Sequence, residues 1–280
     1  MGVAVNLLTA DGFGLGCNIL QRQDDMDLHW HDNIELTVVT GGTGQHCTDQ
    51  GSWPIERGDA FVIPPGMEHG YTQTQDLALV NIGYQPDRLA LSLAQLQRLP
   101  GFQVFVNLEP RLRHRQGFAA KVRLPDAQVD RVSGVVAHMA QELAARALGF
   151  APVCTGYLIE ILVICCRGYS VASGPAAASL LVLARLLEWI DGHLPEPMDV
   201  ASLARRARCS RATLQRRFAD CFDCSPMAYV TELRLQRARA CLEGGGVSIA
   251  EVGRRCGFTD AAYFSRRFAA RFGCAPRDWS

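Results

Sequence analysis

The sequence predicts a multidomain α+β protein: a small antiparallel β-barrel or sandwich first, then a helical middle, then an all-α C-terminal third. Three observations predict it. Residues 28–84 alternate short β-branched apolar runs with glycine and proline breaks, the pattern of closely spaced antiparallel strands. From residue 127 onward the apolar positions recur with helical spacing. The C-terminal third contains one motif twice, about fifty residues apart, which marks a single supersecondary unit used two times.

Composition sets the outer limits. A chain of 280 residues, 48% hydrophobic and 20% charged, is long enough for two domains that each bury a core. The formal net charge is zero but unevenly spread: residues 1–175 carry 12 Lys+Arg against 17 Asp+Glu, and residues 176–280 carry 16 against 11. From Val200 onward the balance is 15 against 7, which suggests a polyanionic partner for the second domain only. The eleven cysteines are an odd number, and "MGVAVNLLTADGFG" has neither the basic nor the apolar part of a secretory signal. Reduced thiols in a cytoplasmic protein are expected. The most apolar run, "YLIEILVICCRG", is shorter than a membrane span and contains Glu160, so it reads as a buried helix, with no membrane partner.

In chain order, "IELTVVTGGTG", "DAFVIPPG" and "LALVNIGY" are strands closed by Gly or Pro. Between Pro86 and Leu124 a helix around Leu89–Leu99 and a few further strands are expected. Residues 127–148 place Val129, Val132, Val136, Met139 and Leu143 on one helical face. A second helix opens at Pro152 and runs to about Cys166, so that the pair forms a hairpin or a dimer seam. "GYSVASGPAAA", residues 168–178, is the linker candidate. The expected division is therefore 1–125, 126–176 and 177–280.

The repeat pairs "DVASLARRARCSRATLQRRFADCFDCSPMAY" (199–229) with "SIAEVGRRCGFTDAAYFSRRFAARFGCAPRDW" (248–279). Arg205-Arg206 match Arg254-Arg255, Arg216-Arg217-Phe218 match Arg266-Arg267-Phe268, and Tyr229 matches Trp279, with the one extra residue placed at Gly257. Each copy reads as helix, short turn, helix. Asp199 and Ser248 are N-cap candidates, Ser248-x-x-Glu251 fits a capping box, and Ser210 and Thr259 or Asp260 can cap the second helices. Leu214, Phe218 and Phe222, like Phe264, Phe268 and Phe272, recur every four residues and face a core. That leaves Arg211, Gln215 and Arg216 in one unit, and Ser265 and Arg266 in the other, facing outward. A second helix displaying Arg and Gln suits a DNA major groove, where Arg pairs with guanine edges and Gln with adenine. Between the units, "SPMAYVTELRLQRARACLEGGG" is a helix with Ser225 as N-cap and a triple-glycine stop.

From about Ala177 to Ser280 the chain resembles the DNA-binding domain of the AraC/XylS family of bacterial transcription regulators. "LARLLEWIDGHLPEPMDVASLARRARCSRATLQRRF" is similar to that family's first helix and first helix-turn-helix, and "LRLQRARACLEGGGVSIAEVGRRCGFTDAAYFSRRFAARFGCAPRDW" follows its signature region. The resemblance implies that the helices of Ser210–Phe222 and Asp260–Phe272 read double-stranded DNA. It also implies a homodimeric activator that works with RNA polymerase. The sequence departs from the family in carrying Ala212, Ala261 and Ala262 where larger groups often make contacts.

The N-terminal half resembles the cupin-like sensor domain of such regulators. His29-x-His31-x-x-x-Glu35 fits the first cupin motif and Gly58-x5-Pro64-x-Gly66-x-x-His69 the second, with Gln73 where asparagine is common. On one strand the odd-numbered His29, His31 and Glu35 would share a face, and His69 would close the site beyond a Pro-Gly turn. Three histidines and a carboxylate suit iron, manganese, nickel or zinc. The same four residues also suit a hydrogen-bonded pocket for an organic effector, and the two readings are compatible. Cys221-x-x-Cys224 and Cys165-Cys166 read as packing residues. No phosphate-binding loop or nucleophile elbow is present in the sequence. The expectation is a non-enzymatic regulator whose pocket senses a small molecule. The alternatives are a metal-dependent cupin enzyme tethered to a DNA-binding module and a sensor that works by protein contact.

Overall fold

The computed structural model describes residues 3–4, 8, 12–49, 51–86, 88–89, 96, 99–110, 121–171, 175–243 and 246–279. Two compact units are present, residues 1–184 and 185–280. Most of the helix expected around Leu89–Leu99 lies outside the described residues. The strands expected between Pro86 and Leu124 reduce, among the described residues, to one short strand, preceded by a helical stretch from Pro100 that is π-wound over Gln103–Leu108.

Among the described residues the first unit holds one eight-stranded sheet. Its strands are β1 (Val3–Ala4), β2 (Leu15–Leu20), β3 (Met26–Trp30), β4 (Ile34–Thr48), β5 (Gly51–Glu56), β6 (Asp59–Ile63), β7 (His69–Tyr84) and β8 (Val122–Arg123). β4 and β7 are long, 15 and 16 residues, and pair with each other from Ile34↔Tyr84 to Thr48↔His69. Each has different outer neighbours along its two halves. β4 pairs with β6 through its first half and with β5 through its second. β7 pairs with β3 through its first half and with β2 through its second.

The change of neighbour coincides with register shifts around Gly41 and Thr43, and such irregularities bend a strand and increase its twist. Gly42 sits there at φ +64°, and a Cβ on it would meet the Asp76 carbonyl oxygen at 2.1 Å. Gly42→Ala is therefore expected to destabilise the first unit by more than about 1 kcal/mol, because both the backbone conformation and the space exclude a side chain. Urea denaturation that leaves its midpoint unchanged would refute this.

The first half of β4 (residues 35–39) and all of β6 are buried on both faces, which explains why they read as continuous apolar runs. Val39, Ile55, Phe61, Ile63, Tyr71, Leu77 and Leu79 form the interior cluster. On the opposite face Leu36 and Val38 are fully buried, and a helical hairpin packs there. Its helices are α1 (Asp126–Ala145) and α2 (Phe150–Val171), joined at Arg146 in the left-handed region and Gly149 at φ +89°. Val129, Val132, Val136 and Met139 are buried as the spacing predicts, whereas Leu143 is half-buried. α2 is longer than its apolar core run suggests. Phe150–Tyr169, with mean hydropathy 1.6, is long and apolar enough to cross a membrane by length and composition. Leu158, Ile161, Leu162, Cys165 and Cys166 are buried here against α1 and neighbouring elements, and burial pushes the Cys166 thiol up to about 12.

The hairpin is tied to the sheet electrostatically. Arg57, in the β5–β6 turn, donates to Asp126 at 2.8 Å, to Asp130 at 2.7 Å and to the Thr40 carbonyl. The buried Asp59 carboxylate accepts from Lys121 at 2.7 Å, from Arg123 at 2.8 Å and from the Glu56 backbone N–H at 2.9 Å, which fixes β8 on β6.

The described helices of the second unit begin within α3 (Pro175–Gly192), inside which the division falls. Of the small-residue stretch 168–178, residues 168–171 close α2, residues 175–178 open α3, and 172–174 lie outside the described residues. Then come α4 (Val200–Arg206), α5 (Arg211–Phe222), α6 (Pro226–Glu243), α7 (Ile249–Arg255) and α8 (Ala261–Phe272). Ser210, Ser225 and Asp260 cap α5, α6 and α8 as expected.

Two details of the repeat differ from the sequence reading. The reciprocal capping box lies at Asp199 and Ser202. At Ser248 only the hydroxyl half forms, because the Glu251 carboxylate is drawn to Arg254 and Arg255. Arg208 and Gly257 are both left-handed, and Cys209 N–H bonds Ala204 O as Phe258 N–H bonds Gly253 O. The turns therefore superpose through Phe258, and the extra residue of the second unit is Thr259 rather than Gly257.

Candidate ligand pocket and nucleic-acid interface

Four elements bring the N-terminal candidates together. His29 lies on β3 directly opposite His69 at the start of β7, with ring centroids 4.2 Å apart. His31 is not on the strand that carries Glu35. It falls in the turn between β3 and β4, and its carbonyl accepts from the Gly66 N–H at 2.8 Å. The Pro64-Pro65-Gly66 loop thus holds the turn that aims His31 at Glu35. The convergence is made by a turn and two strand pairings, not by alternation along one strand.

All four side chains are buried, at 6%, 2%, 1% and 0% relative exposure for His29, His31, Glu35 and His69. Glu35 Oε2 stands 2.6 Å from His31 Nε2 and 3.6 Å from His69 Nε2, and Thr37 donates to Oε1 at 3.1 Å. Burial by itself raises the Glu35 carboxyl, but His31, His69 and Thr37 outweigh it and hold the group below its ordinary value. Burial holds His29 and His69 below theirs, His69 at about 4, so both imidazoles are neutral near pH 7. Their Nδ1 atoms face the Asp27 and Met67 carbonyls at 3.1 and 3.3 Å. This leaves each Nε2 as the free lone pair when Nδ1 carries the proton.

The donor set fits a transition metal. One ligand atom from each of His29, His31 and His69 lies within 4.8 Å of the others, and His69 Nε2 is a buried nitrogen with no hydrogen-bond partner. Neutral imidazoles beside a carboxylate are what such an ion requires.

His46 is a pocket residue that the sequence reading missed. It is fully buried on β4, with its ring 5.9 Å from His69, 4.7 Å from Phe61 and 5.8 Å from Tyr71. On β4 the odd positions Glu35, Thr37 and Val39 face the interior, but beyond the shifts at Gly41–Thr43 it is the even His46. The double glycine followed by a histidine was the available signal.

In the second unit, the two helix-turn-helix copies are matched in three dimensions. Phe218 and Phe222 pack on Tyr229 at 5.5 and 4.6 Å, and Phe268 and Phe272 pack on Trp279 at 5.6 and 5.4 Å. That buried stripe leaves Arg211, Gln215 and Arg216 exposed on α5 and Arg266 exposed on α8. Ser265 is half-buried, and its hydroxyl donates back to the Ala261 carbonyl at 3.0 Å, so only its lone pairs remain available. Among the described residues Arg211, Arg216 and Arg266 have no ion-pair partner within 4.0 Å. By contrast Arg254, Arg255 and Arg271 are held by Glu251 and Glu232. α8 also exposes Arg267 and Tyr263, the latter 42% accessible, which lie one position off the Phe264 stripe and which the sequence reading left unassigned.

Comparison with known proteins matches both halves. A family model described as an AraC-like ligand binding domain matches residues 19–145, and one described as a helix-turn-helix domain matches residues 203–280. The transcriptional activator RhaR of Shigella dysenteriae and that of Escherichia coli K12 are each 29% identical over 257 residues, covering 92% of this chain and 88% of theirs. Among solved structures, the DNA-binding domain of AdpA in complex with a target DNA is 35% identical over 34% of this chain and 86% of that one, with a TM-score of 0.33. A transcriptional regulator from Chromobacterium violaceum is 31% identical over 36% and 91%, with a TM-score of 0.34.

Proposed function

The chain belongs to the AraC/XylS family of transcription regulators, and from that premise we propose that it is a ligand-responsive activator reading DNA through α5 and α8. One observation supports this above the others: the same helix-turn-helix is built twice, and each copy turns arginines without a close acidic partner toward solvent. Arg211, Gln215 and Arg216 contact one groove segment, and Ser265 and Arg266 the next. The chain is a regulator and not an enzyme, so its buried pocket serves as an input.

His29, His31, Glu35 and His69 are the signal-receiving residues. They would hold a divalent transition metal, which when bound would act as a Lewis acid toward an oxygen-bearing effector. The protein residues orient it: Thr37 fixes the carboxylate, and the backbone carbonyls fix the imidazoles.

The regulator works as a cytoplasmic homodimer that recruits RNA polymerase. The hairpin α1–α2 is the dimer seam, supported by the exposed Val153 and Ile159 on α2 and the outward His138–Tyr157 stack.

The test is footprinting of the full chain on duplexes enriched from a random pool. α6 is 18 residues long, about 27 Å at 1.5 Å per residue, so it can present two reading helices to successive major-groove segments about 34 Å apart. Two protected segments per protomer on one DNA face are expected, and one segment would reject the equivalence of the two units. Arg216→Ala and Arg266→Ala should each weaken binding to the selected site by about 1–3 kcal/mol while leaving non-specific binding nearly unchanged. Equal losses on every sequence would assign both arginines to phosphates instead.

A further inference from the structure

A cavity of about 720 Å3 lies between β8, α1 and α2, and none of His29, His31, Glu35 or His69 lines it. α2 contributes one stripe to it, Glu160, Val163, Ile164, Arg167 and Gly168, at the spacing of a single helical face. Its apolar wall is Leu124, Val163 and Ile164, and four cations, Lys121, Arg123, Arg131 and Arg167, line it against one carboxylate, Glu160.

The cations are not equivalent. Lys121 and Arg123 hold the buried Asp59, and Arg131 bridges α1 to Glu160 at 2.7 Å. Arg167 alone of the four has no ion-pair partner among the described residues, although it faces the cavity beside an apolar wall. Gly168 next to it permits α2 to approach β8, since a Cβ there would meet Val122 at 2.9 Å.

We infer that this cavity is a second ligand site, for an organic monoanion with an apolar body, its anionic head on Arg167 and its body on Leu124, Val163 and Ile164. Its volume falls in the range of small-molecule sites, about 300–1,000 Å3, and its mixture of apolar wall and a few charged groups is theirs too. An inorganic anion would leave the wall unused, and a neutral molecule would leave Arg167 unmatched. Occupation also bears on the regulator, because Arg123 and Arg131 join the cavity to the Asp59 node and to the α1–α2 hairpin.

The probe is octanoate, titrated calorimetrically into the full chain, with acetate and octan-1-ol as the head-only and body-only comparisons. Octanoate is expected to bind, acetate and octan-1-ol to bind at least roughly tenfold more weakly. Arg167→Glu, a change at an exposed position, should abolish octanoate binding, and Ile164→Trp should do so by filling the cavity. His69→Ala should leave it intact. Unchanged affinity in Arg167→Glu overturns the site whether or not Ile164→Trp folds. Octan-1-ol binding as tightly as octanoate overturns the charged head, and absence of octanoate binding overturns the whole. Loss of binding in His69→Ala with retention in Arg167→Glu would place the ligand at the histidine cluster instead. DNA footprinting of the unliganded chain is independent of every one of these outcomes, so failure here is distinguishable from failure of the regulator reading.

Discussion

Phe268→Ala is expected to cost the second unit about 3–5 kcal/mol and to abolish DNA binding, and Phe218→Ala to do the same. Phe268 is fully buried among Phe264, Phe272 and Trp279, at ring separations of 5.7, 4.7 and 5.6 Å. Truncating it empties the centre of the second helix-turn-helix, where the aromatic rings set the pitch of α8 on its neighbours. Phe218 has the same position against Phe222 and Tyr229. A loss of that size is a large share of the roughly 5–15 kcal/mol by which a domain is stable. The two compact units should melt in separate calorimetric transitions, of which only the second moves. A shift of both transitions together would show that they unfold as one. A loss below about 1 kcal/mol would show that the aromatic stripe is not the core it is taken to be.

The second large effect lies at the other end of the chain. His31→Ala removes the group 2.6 Å from a carboxylate that is 1% exposed, and leaves Glu35 with Thr37 and the more distant His69. Breaking a buried pair from one side typically costs about 3–5 kcal/mol. The first unit should lose stability on that scale. Transcriptional response to effector should vanish in His29→Ala, His31→Ala and His69→Ala alike, with binding to the selected duplex retained. Reporter induction and gel retardation on the same preparations check it. Normal induction in all three variants would make the cluster purely structural. Metal analysis of the purified chain, with and without chelator, separates an ion-holding pocket from a hydrogen-bonded one.

Much of this protein is local information. Helix caps such as Ser210 and Asp260 act within three residues, so the residues that make them can be recognised in the chain itself. The stripes Leu214–Phe218–Phe222 and Phe264–Phe268–Phe272 follow from helical periodicity alone, and duplication of the motif makes the second copy a check on the first. The identity of the three histidines and Glu35 was equally legible, because their spacing survives however the strands run.

What tertiary structure decided are the relations that depend on distant partners. Whether an arginine is available to DNA depends on whether a carboxylate reaches it: Glu232, 39 positions away, takes Arg271, while Arg216 has none among the described residues. Alternation along a strand is a local rule, and it held for Glu35 and Thr37. The irregular pairing of β4 with β7 at Gly41–Thr43 then reversed it and sent His46 into the pocket. His31 joined the cluster through a turn pinned by Gly66, a hydrogen bond across 35 positions. The buried Asp59 and its two cations, more than sixty positions apart, could be paired only once β8 was laid beside β6. Side-chain chemistry and local periodicity are carried by neighbouring residues. Register, pairing and charge neutralisation are set by the sheet as a whole, because a one-residue shift in a strand exchanges its faces.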